Sequence, residues 1–381
     1  MQENGHYNEV KELSYTPLRT QLNKLSVLGV LALIILAWIF QSLQMAPIDS
    51  LYWLCMSVLC WGITIVGARR LLDQNRPSEK APLWSTIGIA NKVTLLRGWC
   101  ISSVGGFLSI DAPEGALLLF PGTLYAVAVI LDRVDGFAAR RSDQVSIMGT
   151  ELDTFLDAFG LVVSPILAVQ YGQLHWTYLM VSVAYYVYSG LIALRKRYGL
   201  SVHTPPKRIE ARASAGFQMG FVAAILFPWF DVHATQLIGI IFMIHVLWGF
   251  LIDWMGVIDY RDGNGVSAYE RWKRYKQKYR SIIQVSTRLL FSGMTYILMI
   301  HSFSISLYSF GVLACTLMIL LGVGARFAGV IALLLMASDP PQVNIFADLS
   351  YLSASIVALL GAGPISIWTW DEEWVHRYDG A

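Results

Sequence analysis

The sequence is short of charge. Asp, Glu, Lys and Arg make up only 14% of its 381 residues, against 55% hydrophobic residues, and its mean hydropathy is +0.53. A water-facing globular surface needs about twice that share of charge, so a soluble domain is excluded as the broad class. Cysteine is scarce as well. Cys55, Cys60, Cys100 and Cys315 are scattered, with no C-x-x-C pair, which excludes a cysteine zinc site and a disulfide framework. Internal repeats and low-complexity segments are missing. No cleavable signal peptide is expected, because the first 23 residues are largely polar and the first apolar run is too long for an h-region. The net charge of +2 says little by itself, and no nucleic-acid partner is expected.

What the chain does have is a series of long apolar runs. Spans are predicted at about 25–44, 51–69, 92–110, 115–131, 153–172, 176–194, 213–230 and 235–257, with a weaker set at 285–304, 308–323, 327–338 and 347–364. Runs of about 18 or more apolar residues can cross a hydrocarbon layer of about 30 Å, and backbone in lipid must pair internally, so the expected class is an all-α polytopic integral membrane protein. If every span crosses and the N-terminus is cytoplasmic, the outer loops are Met45–Ser50, Asp111–Glu114, Gly172–His175, Asp231–Ala234, a short one near Ser306, and Ser338–Phe346. None contains Lys or Arg, so all 28 basic residues fall inside, as the positive-inside rule requires. The expected organisation is an N-terminal extension with two spans (1–86), a six-span core (87–260), a basic-aromatic linker (261–284) and a four-span C-terminal module (285–381).

The most unusual stretch is "LDRVDGFAARRSDQVSIMGTELDTFLDAFG" (131–160), where the fourth and fifth spans meet. Helical positions three, four and seven apart share a face. Asp132, Asp135, Gly136 and Ala139 therefore share one face at the end of the fourth span, and Gly149, Asp153 and Asp157 share one face at the start of the fifth. An eight-residue connection (141–148) predicts that these helices are antiparallel neighbours with their acids converging at the inner membrane surface. Four carboxylates in a partly desolvated place repel one another and stay ionised only beside cations. Oxygen ligands without Cys or His point to hard divalent ions, Mg²⁺ or Mn²⁺, and two such ions suit phosphoryl chemistry. Arg140 lies just off the acidic face, where it can meet a phosphate bidentately.

These residues carry a resemblance. The stretch fits D-x-x-D-G-x-x-A-R-x8-G-x3-D-x3-D at all eight defined positions, Asp132, Asp135, Gly136, Ala139, Arg140, Gly149, Asp153 and Asp157, and so resembles the CDP-alcohol phosphotransferases. The upstream "NKVTLLRG", with Asn91, Thr94 and Arg97, is similar to the opening of that family's first core helix. The resemblance covers roughly 87–260 and implies transfer of a substituted phosphate from a CDP-linked donor, usually CDP-diacylglycerol, to an alcohol hydroxyl with release of CMP. It implies that the four aspartates hold two divalent cations, with Asp157 also the general base. It further implies that Gly136, Ala139, Arg140 and Gly149, helped by Asn91 and Thr94, form the cytidine-diphosphate site.

Phosphorylated acceptors need further cations, and Arg195, Arg208 and Arg212 are the candidates, with positive-inside anchoring as the plain alternative. Asp253 and Asp259 read equally as acceptor contacts or helix-end acids. His245, alone on an apolar helix, reads as a packed, hydrogen-bonded residue. "YERWKRYKQKYR" (269–280) alternates aromatic and basic residues and predicts an interfacial helix against anionic lipid. The Gly-rich "LGVGARFAGVIALLLMAS" (321–338) and "LLGAGPISIWTWDE" (359–372) resemble the DoxX-like four-helix membrane modules, although Gly-rich helix packing gives similar patterns. Trp368, Trp370 and Trp374 read as an interfacial anchor. The expected partners are a CDP-alcohol, an alcohol acceptor, membrane lipid and a second copy of the chain. The competing readings are transfer of a CDP-linked headgroup to diacylglycerol, a divalent-cation transporter using the acids as a transit site, and an inactive lipid-binding scaffold.

Overall fold

The computed structural model describes residues 2–141, 145–204, 209–259, 266–302 and 307–376, with side chains except at 2–14, 135, 137–141, 209–212, 301, 302 and 374–376. Among the described residues the chain is helical, without a strand. The helices are α1 (Gln2–Ser42), α2 (Pro47–Arg70), α3 (Ile89–Gly106), α4 (Leu119–Arg141), α5 (Ile147–Gln170), α6 (Leu179–Arg197), α7 (Ile209–Ile225), α8 (Val232–Ile258), α9 (Ala268–Ser302), α10 (Leu307–Leu321), α11 (Ala325–Ser338), α12 (Ile345–Leu360) and α13 (Trp370–His376). A helix stands at each predicted span, and seven described helices are long and apolar enough to cross a membrane. The protein is thus a multi-pass integral membrane protein. The helices α10, α11 and α12 have 15, 14 and 16 residues. At 1.5 Å per residue they reach only about 21–24 Å, short of a full hydrocarbon layer of about 30 Å.

The chain divides into two compact units, Met1–Tyr171 with Met219–Pro228, and Gly172–Gln218 with Trp229–Ala381. In the first, α3 is the organising helix. It packs along α2, α4 and α5, and small residues on its surface make that possible. A Cβ on Gly98 would stand 2.7 Å from Thr64 Cγ2 on α2 and 3.1 Å from Leu156 Cδ2 on α5, so only glycine lets three helices meet there. Two polar bonds add to the packing of α2 on α3. The Trp53 indole donates to the Ser103 carbonyl at 3.1 Å, and the Thr64 and Ser102 hydroxyls lie 3.4 Å apart. The sequence predicted that α4 and α5 would be each other's neighbours. Instead α3 is the main partner of both. Charge accounts for the difference: α3 carries the cation that the acids of α4 and α5 require.

In the second unit α6 packs on α8, and α9, α10, α11 and α12 close a four-helix ring in which each packs on the next and α12 on α9. The basic-aromatic segment is not a separate interfacial helix. It forms the first turns of α9, started by a capping box in which Ser267 N–H donates to Glu270 Oε2 and Glu270 N–H donates to Ser267 Oγ, both at 3.1 Å. No Gly or Pro occurs between Ala268 and Ser292, so nothing interrupts the helix where the basic-aromatic run meets the apolar one. His245 is satisfied as expected, with its Nε2 2.7 Å from Ser214 Oγ. Trp370 stacks on Phe327 with ring centroids 5.0 Å apart and rings 5° from parallel, so it packs on α11. Trp368 is exposed, and the Trp374 side chain lies outside the described residues.

Because Gly98 faces two helices at once, Gly98→Val is expected to cost about 1–3 kcal/mol and to lower the melting temperature in detergent. An unchanged melting curve would contradict the close approach of α2, α3 and α5.

Candidate active site

The acidic stretch folds as the sequence predicts along each helix. Asp132 lies near the end of α4, and Asp153 and Asp157 lie one turn apart near the start of α5. Carboxylate oxygens of these three residues all lie within 4.8 Å of one another. The Asp135, Ala139 and Arg140 side chains lie outside the described residues, although the backbone of all three continues α4. Gly136 lies in the same helix.

What joins the acids is Arg97 from α3. Its Nη1 donates to Asp153 Oδ1 at 2.5 Å and lies 3.0 Å from Asp132 Oδ1, and its Nη2 donates to Asp157 Oδ1. The guanidinium side chain is only 3% exposed, whereas Asp132, Asp157 and Asp153 are 22%, 36% and 43% exposed. The cation is therefore the floor of the site and the carboxylates are its accessible wall. Beside them, a cavity lined by residues including Arg97, Ile101, Tyr125, Leu156 and Asp157 holds about 10 Å³, room for at most one water. The sequence reading placed Arg97 in a motif without giving it a role. The available signal was a lone arginine within an apolar helix, three residues after Thr94 and six after Asn91 on a compact polar face, since an intramembrane charge requires a partner.

The start of α5 is fixed by a polar staple. Ser146 is its N-cap, accepting from the Gly149 N–H at 2.9 Å. The Asn91 amide donates to Ser146 Oγ at 3.2 Å and to Asn75 Oδ1 at 3.1 Å, and Asn75 in turn donates to the Thr86 carbonyl at 3.0 Å. The Ile147 N–H donates to the Arg76 carbonyl at 3.0 Å. A segment before the family-like core thus holds the helix that carries Asp153 and Asp157. Gly149 is needed for this approach, because a Cβ there would stand 2.6 Å from Asn91 Oδ1. Asn91 and Thr94 were expected to line a nucleotide site. Both are buried, and the Thr94 hydroxyl donates to the Ala90 carbonyl at 3.0 Å.

Of the acceptor candidates, Arg208 and the Arg212 side chain lie outside the described residues. Arg195, in the second unit, donates from Nε and Nη2 to the Ser201 carbonyl at 3.2 and 2.7 Å and lies 5.9 Å from the Trp254 ring centroid. A larger cavity of about 560 Å³ between α6 and α8 is bordered by residues such as Met180, Val187, Phe250 and Leu251, with no carboxylate, Lys or Arg in its lining. The chemistry therefore belongs to the acid cluster.

The donor set fits divalent cations. Three half-buried carboxylates present closely spaced oxygens and no softer ligand, the combination that suits Mg²⁺ or Mn²⁺.

The staple yields a test. Asn91→Ala would strand the buried Asn75 and Ser146 groups and is expected to cost about 1–3 kcal/mol, seen as a lower melting temperature in detergent. Unchanged stability would remove the staple role and leave ligand contact as the reason for an asparagine at this position.

Residues 87–251 match the family model described as CDP-alcohol phosphatidyltransferase, and the match contains Arg97 and every acid of the cluster. No curated protein and no solved structure gives a match to the chain. Members of the family are phosphotransferases for substituted phosphate groups, using a CDP-alcohol donor and an alcohol acceptor, and they typically depend on divalent cations. The acid cluster is thus the candidate active site of an enzyme, and it lies in a domain, residues 87–251, that matches the CDP-alcohol phosphatidyltransferase family model.

Proposed function

We propose that this enzyme is a phosphatidyltransferase of phospholipid synthesis, moving the phosphatidyl group of CDP-diacylglycerol to an alcohol hydroxyl and releasing CMP. The observation that carries the reading is the convergence of Asp132, Asp153 and Asp157 from two helices within a family domain of a multi-pass membrane protein. The absence of Lys and Arg from the alternate set of loops supports a site that faces the cytoplasm, where a soluble alcohol and a membrane-held donor can meet.

In this reading Asp132, Asp135, Asp153 and Asp157 hold two divalent cations, Mg²⁺ or Mn²⁺. Once bound, these would neutralise the diphosphate and ease departure of the nucleotide. The chain's own residues do the rest. Asp157 accepts the hydroxyl proton on a carboxylate oxygen as the alcohol oxygen bonds to the lipid-bearing phosphorus. The bond from that phosphorus to the oxygen of CMP breaks, and its electron pair leaves with CMP. Gly136, Ala139 and Gly149 leave room for the cytidine diphosphate, and Arg140 pairs with a phosphate. Asn91 and Thr94 hold the wall behind it. Arg195, Arg208 and Arg212 are the acceptor-side cations. The ring of α9 to α12 supports reading residues 285–381 as an accessory DoxX-like module fused to the transferase.

The direct experiment incubates purified protein with CDP-diacylglycerol, Mg²⁺ or Mn²⁺ and a panel of alcohols, with lipid products read by mass spectrometry. Label from CDP-choline rather than CDP-diacylglycerol appearing in lipid would reverse the assignment of donor and acceptor. Asp157→Asn is expected to lower CMP release by about 10²–10⁴-fold in protein that still elutes as a folded species. Wild-type rates in that variant would remove Asp157 as the base. Excess EDTA is expected to abolish turnover, and full activity in EDTA would remove the metal site.

A further inference from the structure

We propose that Arg97 is a built-in counter-cation of the acid cluster with which divalent cations must compete. It holds Asp132, Asp153 and Asp157 together when divalent cations are absent and yields those carboxylate oxygens when they bind. The inference rests on the metal-binding reading of the site given above.

The geometry makes the two kinds of cation rivals for the same carboxylates. The Oδ1 atoms of Asp132, Asp153 and Asp157 are all engaged by the Arg97 guanidinium. Among the described residues, these three side chains also bring oxygens close enough to one another to share an ion. A dication among them would sit within a few ångströms of a guanidinium that is itself shielded from water, and like charges at that separation repel strongly where the local dielectric is low. The cavity beside the guanidinium has only about 10 Å³, which gives it little room to move away.

The charge count explains why such a rival is useful. Three carboxylates set against Arg97, with the exposed Arg133 3.9 Å from Asp132 Oδ2, still leave net negative charge among these side chains, which attracts a further cation. Without Arg97 the acids of α4 and α5 would lose their shared counter-charge whenever divalent cations were absent, a costly state in a membrane. Arg97 therefore keeps the helices assembled before loading and sets a ceiling on how tightly the site binds. It acts on the reaction through the acids and is a positioning residue.

The test measures Mn²⁺ binding to the full-length protein in detergent, by the electron paramagnetic resonance signal of free Mn²⁺, together with melting curves in EDTA and in Mn²⁺. Arg97→Gln is expected to bind Mn²⁺ at least about tenfold more tightly than wild type. It is also expected to melt at a lower temperature in EDTA and to gain more from Mn²⁺ than wild type does. Arg97→Lys keeps the charge and is expected to stay within about threefold of the wild-type affinity. If Arg97→Gln is not recovered folded in EDTA, recovery with Mn²⁺ present throughout purification supports the proposal, and failure in both conditions overturns it. Equal or weaker Mn²⁺ binding by Arg97→Gln, with wild type still binding, overturns the role of Arg97 and leaves the metal site intact. Absence of Mn²⁺ binding in wild type and variants alike overturns both.

Discussion

A guanidinium that is 3% exposed, held among three carboxylates from two other helices, is the contact on which the first unit is organised. Ionised groups in a membrane protein are stable only when paired. That requirement decides which helix lies between α4 and α5. Once α3 must carry Arg97 to that depth, its neighbours must come close, and Gly98 facing both α2 and α5 lets them. The position of α5 along its own axis must be fixed as well, so that Asp153 and Asp157 both reach the same guanidinium. The staple of Asn75, Asn91 and Ser146 at the start of α5 does this. Packing, capping and charge thus converge on one point, and the point is where the family's chemistry is expected.

The legible part of this arrangement was the part encoded locally. Acids four residues apart on a helix must share a face, whatever surrounds them, so Asp153 and Asp157 could be read together from their spacing. The convergence of Asp132 with them needed only a short connection. The pairing with Arg97 spans 56 and 60 residues to Asp153 and Asp157, and no periodicity in the chain encodes it. Asn91 shows the same limit from another side. Its spacing from Thr94 and Arg97 suggests a ligand-facing row, whereas its partners, Asn75 and Ser146, come from segments 16 and 55 residues away. The run from Tyr269 to Arg280 misled for a different reason. Its alternation of aromatic and basic residues suggests an interfacial helix of its own, but helices end where capping or backbone geometry ends them, and that segment begins α9 rather than preceding it.

The C-terminal block contains two more buried arginines, and their partners separate architecture from function. Arg288 donates from Nε to the Ile319 carbonyl at 2.8 Å, from Nη2 to Leu320 at 2.6 Å, and from Nη1 to Ala362 at 2.8 Å and Ile365 at 2.5 Å. Arg326 donates to the Ala358, Leu359 and Leu360 carbonyls and to Glu372 Oε2, while its own N–H donates to Asp371 Oδ2. The carbonyls of Ile319 and Leu320 end α10, and those of Ala358, Leu359 and Leu360 end α12, so each guanidinium satisfies backbone acceptors that a helix terminus leaves open. Such acceptors cannot be exchanged without unravelling the turn that supplies them.

Arg97 differs in the kind of partner, not in burial. Its acceptors are side-chain carboxylates that carry full charge and retain partial access to solvent, so another cation can reach them without disturbing any backbone bond. Three arginines buried to a similar depth in one chain therefore divide by chemistry. Arg288 closes a helix end through neutral acceptors, and Arg326 closes another while also pairing with Glu372 Oε2, so both serve the bundle. The third meets a cluster whose negative charge exceeds its own, and a cluster left with net negative charge remains a place for cations. The convergence of three carboxylates within 4.8 Å of one another, rather than the presence of a salt bridge, distinguishes the candidate active site from the scaffold around it.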